Sequence, residues 1–252
     1  TSCGEYQSLL KSNDYNLVYK KAIEYYNKGD YQRAMNLLDG VRSVFVGQAK
    51  AQNIAYYRAF CSYNMKDYQI ASDLFKQFIQ TYPESSFAEE CLYMMGFCDY
   101  KASPKPRLDQ QVTEKAIREF QLYLSRYPYS MRKDKVNTYM DEMRDKLSYK
   151  AYLSAKNYYL REHYKAAVIS LQNCLKDYPG SKYREEIMYM LFVSKYQMAV
   201  NSVEDKKVER YNNAREEYYY FADEYPNSRY AADVKKMYED IEAYLENYKF
   251  ED

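Results

Sequence analysis

Tyr82-Pro83-Glu84-Ser85, Tyr127-Pro128-Tyr129-Ser130, Tyr178-Pro179-Gly180-Ser181 and Tyr225-Pro226-Asn227-Ser228 share the pattern Y-P-x-S. Twelve residues before each proline stands an alanine: Ala71, Ala116, Ala167 and Ala214. Four residues after each alanine comes a large residue, Phe75, Phe120, Leu171 or Tyr218. Residues four apart share a helix face, and proline cannot continue a helix, so each Tyr-Pro marks a helix end. A phrase that returns four times with fixed marks makes the chain an array of similar units.

Small residue, large residue and closing proline resemble the second helix and exit turn of a tetratricopeptide repeat, a helix–turn–helix unit of about 34 residues. Small residues for the first helices fall at Ala22, Ala59, Gly96 and Ala155, the first three spaced by 37. A fifth unit runs from about Ile187, with Ser194 taken as its small residue. Repeat one lacks the tyrosine–proline exit and reads Val44-Phe45-Val46-Gly47 instead. Its pair is marked by Gly29-Asp30-Tyr31-Gln32-Arg33-Ala34, parallel to Lys66-Asp67-Tyr68-Gln69-Ile70-Ala71. Repeat three carries extra residues around Ala102-Ser103-Pro104-Lys105-Pro106-Arg107-Leu108-Asp109, and repeat five has a polar insertion around Asn201–Lys207.

From Lys133 to about Leu160 the chain has no glycine or proline, and Val136, Met140, Met143 and Leu147 recur at helical spacing. One long connecting helix is expected there, and a capping helix from Ala231 to about Tyr248. The expected fold is therefore all-α: a tetratricopeptide-repeat solenoid of about five helix pairs, with a long connecting helix and a C-terminal cap.

The 252 residues are 29% charged with a net charge of +1, which gives no electrostatic case for nucleic acid. No apolar run approaches the length of a membrane span. The single histidine, His163, cannot build a zinc site without a second, so no metal or other cofactor is expected. Nucleophile-elbow and phosphate-loop motifs are absent. The doublets Glu89-Glu90, Glu185-Glu186 and Glu216-Glu217 sit on helices, where neighbours point about 100° apart. They read as charged, solvated faces, not acid–base pairs, and no enzyme is expected.

Cys61, Cys91, Cys98 and Cys174 lie among apolar residues of expected helices and read as buried small hydrophobes. Cys3 stands apart, before any repeat, in Thr1-Ser2-Cys3-Gly4 ahead of a polar stretch, with no evident packing role. Ser-Cys-Gly resembles the end of a bacterial lipobox, whose cysteine carries lipid.

The first helices show a second regularity. Tyr19 and Tyr26, Tyr56 and Tyr63, Tyr93 and Tyr100, and Tyr152 and Tyr159 all read Y-x6-Y around the small residue, while Leu191 and Met198 are taken to break the series in repeat five. Residues seven apart share a helix face. In such repeats the first helices line the inner groove, so these eight tyrosines are expected to line a peptide groove and contribute little to packing between repeats. The competing reading makes them inter-repeat core.

Five repeats, the insertion in the third, and a long helix running through Asp145-Lys146-Leu147-Ser148-Tyr149 into Ala155-Lys156-Asn157-Tyr158-Tyr159 together resemble the BamD (YfiO) family of outer-membrane assembly lipoproteins. The resemblance covers about residues 13–248. It implies a lipid on Cys3, residence on the periplasmic face of the outer membrane, and two partners: a BamA-like β-barrel insertase and unfolded outer-membrane protein segments. It also implies an organisation of a lipid-anchored linker (1–12), a substrate-binding half with repeats one to three (13–132), and an insertase-binding half (133–252). Rival readings are another periplasmic repeat lipoprotein, such as a pilus-assembly or cell-division coordinator, and a cytosolic adaptor.

Overall fold

The computed structural model describes residues 2–248, with side chains over residues 4–248, and these form twelve α-helices and no strand. A short α1 (Ser2–Leu10) precedes five pairs. These are α2 (Tyr15–Asn27) with α3 (Tyr31–Val41), α4 (Ala49–Asn64) with α5 (Tyr68–Thr81), and α6 (Ala88–Ala102) with α7 (Gln111–Arg126). Then come α8 (Lys133–Leu160) with α9 (Tyr164–Asp177) and α10 (Arg184–Val200) with α11 (Glu204–Glu224), and α12 (Ala231–Tyr248) closes the array. The chain divides into two compact units, residues 1–143 and 144–252.

The repeated phrase encodes its own turn. In all four copies the tyrosine N–H donates to the carbonyl four residues back, at 2.8–3.0 Å, as the last bond of the second helix. Proline then removes the next donor. The serine N–H returns to the tyrosine carbonyl at 3.0–3.1 Å. Its hydroxyl accepts the N–H two residues on, from Phe87, Arg132, Tyr183 and Tyr230, which satisfies a donor at the start of the next helix.

The turns inside the repeats are tight for a different reason. Gly29, Lys66 and Glu162 occupy the same place and all take positive φ, +81°, +67° and +59°. Glycine accepts that conformation freely, and the lysine and glutamate hold it at a cost. Asp30 follows at the cap of α3, its carboxylate accepting from the Arg33 N–H.

Small residues allow close approach within each pair. Ala22, Ala34, Ala59, Ala71, Ala116, Ala155, Ala167 and Ala214 are all fully buried. Gly96 is tighter still: a Cβ there would lie 2.8 Å from a ring carbon of Phe120. The exit of repeat one is a turn that buries Phe45 in the core.

Three departures from the sequence reading have physical causes. First, residues 2–10 are not a linker. Tyr6 and Leu9 are buried against the first repeat, Asn36 donates to the Tyr6 hydroxyl at 2.9 Å, and Arg33 lies over the Tyr6 ring. Second, the extra residues of repeat five extend a helix. Only residues 201–203 separate α10 from α11, because Asn201–Lys207 holds no proline or glycine, and Glu204 and Asp205 favour a helix N-terminus. In repeat three, Pro104 and Pro106 keep the corresponding stretch out of helix. Third, α8 has the bounds its sequence implies, yet Val136, Met140 and Met143 are buried in the core of the first unit, so that unit includes the start of the helix.

Candidate functional site

The eight tyrosines expected to line a groove all lie on first helices. Tyr93 and Tyr152 are buried, and Tyr19, Tyr26, Tyr56, Tyr63, Tyr100 and Tyr159 are half-buried. They contribute substantially to packing, contrary to the sequence reading. Tyr56 sits against Phe60 and Phe87, each with ring centroids 4.6 Å away. Tyr26 meets Tyr57 edge-on at 4.9 Å, Tyr63 meets Phe60, Tyr68 and Phe97, and Tyr159 packs on Tyr164.

Their hydroxyls explain how phenols are accommodated in such a setting. Tyr56 on α4 donates to Glu90 on α6 at 2.8 Å, and Tyr152 on α8 donates to Glu186 on α10 at 2.8 Å. Tyr100 on α6 likewise donates to Glu142 on α8. A buried phenol needs a partner, and for these three the next first helix supplies a carboxylate. These bonds act as rungs between successive first helices. Burial, reinforced by the Glu90 carboxylate, pushes the Tyr56 hydroxyl well above the usual tyrosine pKa. Lys156 joins the rung at Glu186, 2.7 Å from that carboxylate.

The ladder continues into repeat five, where the sequence reading ended it. Tyr189 donates to Asp233 at 2.6 Å, and Tyr196 donates to Asp240, both acids lying on α12. Counting from the exit proline exposes the register error: Tyr93 lies ten residues after Pro83, and Tyr189 lies ten after Pro179. On this count Phe192, not Ser194, corresponds to Gly96.

The glutamate doublets at 89–90 and 185–186 are also more than solvated faces. In each, the second carboxylate takes the tyrosine of the preceding first helix. The first takes the exit-turn serine of its own repeat, Ser130 to Glu89 at 2.8 Å and Ser228 to Glu185 at 2.6 Å. Adjacent helical residues diverge, and each pair uses that divergence to tie two different neighbours.

One rung is open. Tyr19 on α2 faces α4, but the place held by Glu90 on α6, six before the small residue, is Asn53 on α4. No hydrogen bond engages the Tyr19 hydroxyl or the Asn53 amide among the described residues. Both line a cleft of about 490 Å³ whose walls include Ile23, Tyr56, Tyr57 and Phe87, with Lys20, Glu24 and Asn27 at its polar edge. A cleft with aromatic walls and a few unspent polar groups suits a peptide-sized ligand. Two of the eight tyrosines therefore meet in a cavity, Tyr19 and Tyr56; the other six are not among its lining residues.

In the second unit, a cleft of about 630 Å³ lies where α9 begins and α10 ends. His163, Tyr164, Ile169, Met198 and Arg210 line it. Ile169 is more than half exposed.

Cys61, Cys91, Cys98 and Cys174 are buried free thiols, and burial raises the pKa of each, to about 12 for Cys61 and Cys91 and about 11 for Cys174. The lipid expected on Cys3 concerns a side chain outside the described residues. No helix among them is long and apolar enough to cross a membrane. No group of three or more His, Cys, Asp or Glu among them is placed to hold a metal ion.

Comparison with protein-family models matches the chain to YfiO, described as an outer membrane lipoprotein, over residues 11–186 and 150–251. Comparison with curated proteins finds no match. Among solved structures, the chain is similar to the TPR2AB domain of yeast Sti1, in its complex with pHSP90. That match has 14% identity and a TM-score of 0.41, covering 90% of this chain and 98% of the other. It is also similar to a TPR-repeat protein of Bacteroides fragilis, with 12% identity and a TM-score of 0.43 over 92% and 99% of the two chains.

Proposed function

The chain belongs to the YfiO family of outer membrane lipoproteins, and from that premise we propose that it is a non-enzymatic scaffold of outer-membrane β-barrel assembly. In this reading it receives unfolded barrel segments on its first unit and holds a BamA-like insertase through its second. The observation that carries the reading is the open rung. Tyr56, Tyr100, Tyr152, Tyr189 and Tyr196 spend their hydroxyls on carboxylates, whereas the Tyr19 hydroxyl and the Asn53 amide are left free together inside an aromatic cleft. Barrel strands alternate apolar and polar residues, and an extended segment of that kind offers backbone donors and acceptors beside apolar side chains.

The test is a fluorescence-anisotropy titration of a labelled barrel-strand peptide against the full chain. Tyr19→Phe removes only a hydroxyl without an intrachain partner. It should weaken capture several-fold at unchanged melting temperature, as expected where a polar group in a binding pocket contributes about 1 kcal/mol. Asn53→Arg, which fills the cleft, should abolish capture. Normal binding by both folded variants would overturn the assignment of the cleft.

The exposed apolar cleft around Ile169 supports the assignment of the insertase to the second unit. Ile169→Glu in the full chain should abolish co-purification with the insertase from detergent-solubilised outer membrane and leave peptide capture intact. Co-purification with a pilus or division complex in place of the insertase would favour the rival lipoprotein reading.

A further inference from the structure

The first unit carries a second cleft, of about 370 Å³, formed by α5, α6 and α7 and sharing no lining residue with the tyrosine cleft. Its floor is Leu92 and Met95 of α6, both buried, and Leu122 of α7 stands over half exposed at its edge. Glu119 forms part of the wall. It is 7% exposed, and its Oε2 has no hydrogen-bond partner. Two cations stand at the lip, Lys76 on α5 and Arg118 on α7. Both are exposed, and neither makes an ion pair among the described residues. The third cation, Lys115, is already committed, with Nζ 2.8 Å from Asp99 and 3.7 Å from Glu119.

We infer that this cleft docks an amphipathic, acidic segment of a partner protein, which inserts large apolar side chains over Leu92 and Met95 and sets a carboxylate against Lys76 and Arg118. Three features define that occupant. The volume suits a few side chains and excludes a folded domain. The free charge at the lip is positive on both sides, which selects an acidic flank and rejects a basic one. The partnerless Glu119 oxygen offers a hydrogen bond to a backbone or side-chain group entering between α5 and α7. Burial and the neighbouring Asp99 raise the pKa of this carboxyl, which weakens its repulsion of an acidic ligand. The geometry is that of a helix laid in a groove between two helices, read through spaced apolar anchors.

The probes are two synthetic helical peptides with the same leucine anchors, one flanked by glutamates and one by lysines, titrated into the full chain with methyl resonances of Met95 followed by NMR. The glutamate peptide should saturate and shift Met95, and the lysine peptide should not. Lys76→Glu and Arg118→Glu should each weaken the glutamate peptide about fivefold. Both positions are exposed, so melting temperature should hold and barrel-strand capture at the tyrosine cleft should be unchanged. Equal binding of the two peptides, or saturation without a Met95 shift, would overturn the inference. So would a Met95 shift with vesicles of an anionic phospholipid but with neither peptide, which would assign the cleft to lipid.

Discussion

Gly96 and Gly40 both stand inside helices, and the structure assigns opposite signs to the same substitution at the two sites. Replacing a mid-helix glycine by alanine stabilises a helix by about 1 kcal/mol. At Gly40 of α3 nothing lies within 4 Å of the added Cβ. Gly40→Ala should therefore gain about 0.5 kcal/mol, a reduced share because the site is near the helix end. At Gly96 of α6 the Cβ would meet Phe120 Cδ1 at 2.8 Å, Cε1 at 3.0 Å and Cγ at 3.3 Å. Carbon atoms settle at about 3.5–4.0 Å, so the ring must retreat by about 0.7 Å or more. Phe120 is fully buried and is flanked by Tyr93 and Tyr139, with ring centroids at 6.3 and 5.9 Å, which limits that retreat. Overpacking of this kind costs about 1–3 kcal/mol, so Gly96→Ala should lose about 1 kcal/mol net even with the helix gain. Urea titration followed by circular dichroism should move the two midpoints in opposite directions. Phe120→Leu should cost less in the Gly96→Ala background than alone, because the clashing ring is then gone. A Gly96→Ala chain as stable as Gly40→Ala would refute the account of close approach at this pair.

Lys66→Gly and Glu162→Gly relieve left-handed backbone at positions equivalent to Gly29; each should raise stability by up to about 1 kcal/mol, and a lowered melting temperature would contradict the strain. The Glu119 carboxyl is raised from 4.5 to about 8, first by burial and then by Asp99, in a cluster with Lys115, Asp73 and the Ser72 hydroxyl. The folded chain there keeps a proton that the unfolded chain releases, so this stability is full below about pH 4.5 and lost as pH rises to about 8. Glu119→Gln should flatten that decline in denaturation midpoints, and an unchanged profile would count against it. Tyrosines of the ladder are raised above the usual value of about 10, so stability held by the rungs should disappear above that pH, with tyrosinate absorbance and helix loss rising together. Mass spectrometry of membrane-extracted protein should find the acyl increment on the peptide beginning at Cys3, where each buried CH₂ contributes about 0.8 kcal/mol to anchoring; an unmodified Cys3 would remove the proposed anchor.

What was legible in the chain was whatever proline, glycine and short periodicities control. The exit turns, the bounds of α8 and α12, and the loop forced by Pro104 and Pro106 all rest on local backbone chemistry. The docking of α1 was not legible, because its few apolar residues stand in a polar stretch and Tyr6 finds its partners, Tyr25 and Asn36, 19 and 30 residues away. In repeat five the sequence reading falls on Leu191 and Met198 in place of Tyr189 and Tyr196, because Ser194 resembles the small residue, whereas the exit proline is the more reliable origin for the count. Glu90 and Glu186 read as solvated from sequence because a carboxylate on a helix usually is. Only the three-dimensional neighbour, a phenol 34 residues earlier in both cases, reveals their use. Whether the tyrosines bind a guest or hold their neighbours posed a false choice: Tyr56 both closes a rung and walls the cleft.

The rungs also determine how freely the repeats can be reordered. Apolar surfaces between stacked helices tolerate small rotations, but a hydrogen bond from a phenol to a single carboxylate does not, since one residue of slippage turns a side chain by about 100°. Each rung therefore acts as a key between consecutive repeats, and Tyr56–Glu90 and Tyr152–Glu186 use the same one. A repeat moved elsewhere in the array would stack cleanly only where its tyrosine finds an acid at the matching turn. The junction at Asn53 is unkeyed, and it is the place where the array could accept a foreign repeat or an extra one without leaving a carboxylate behind.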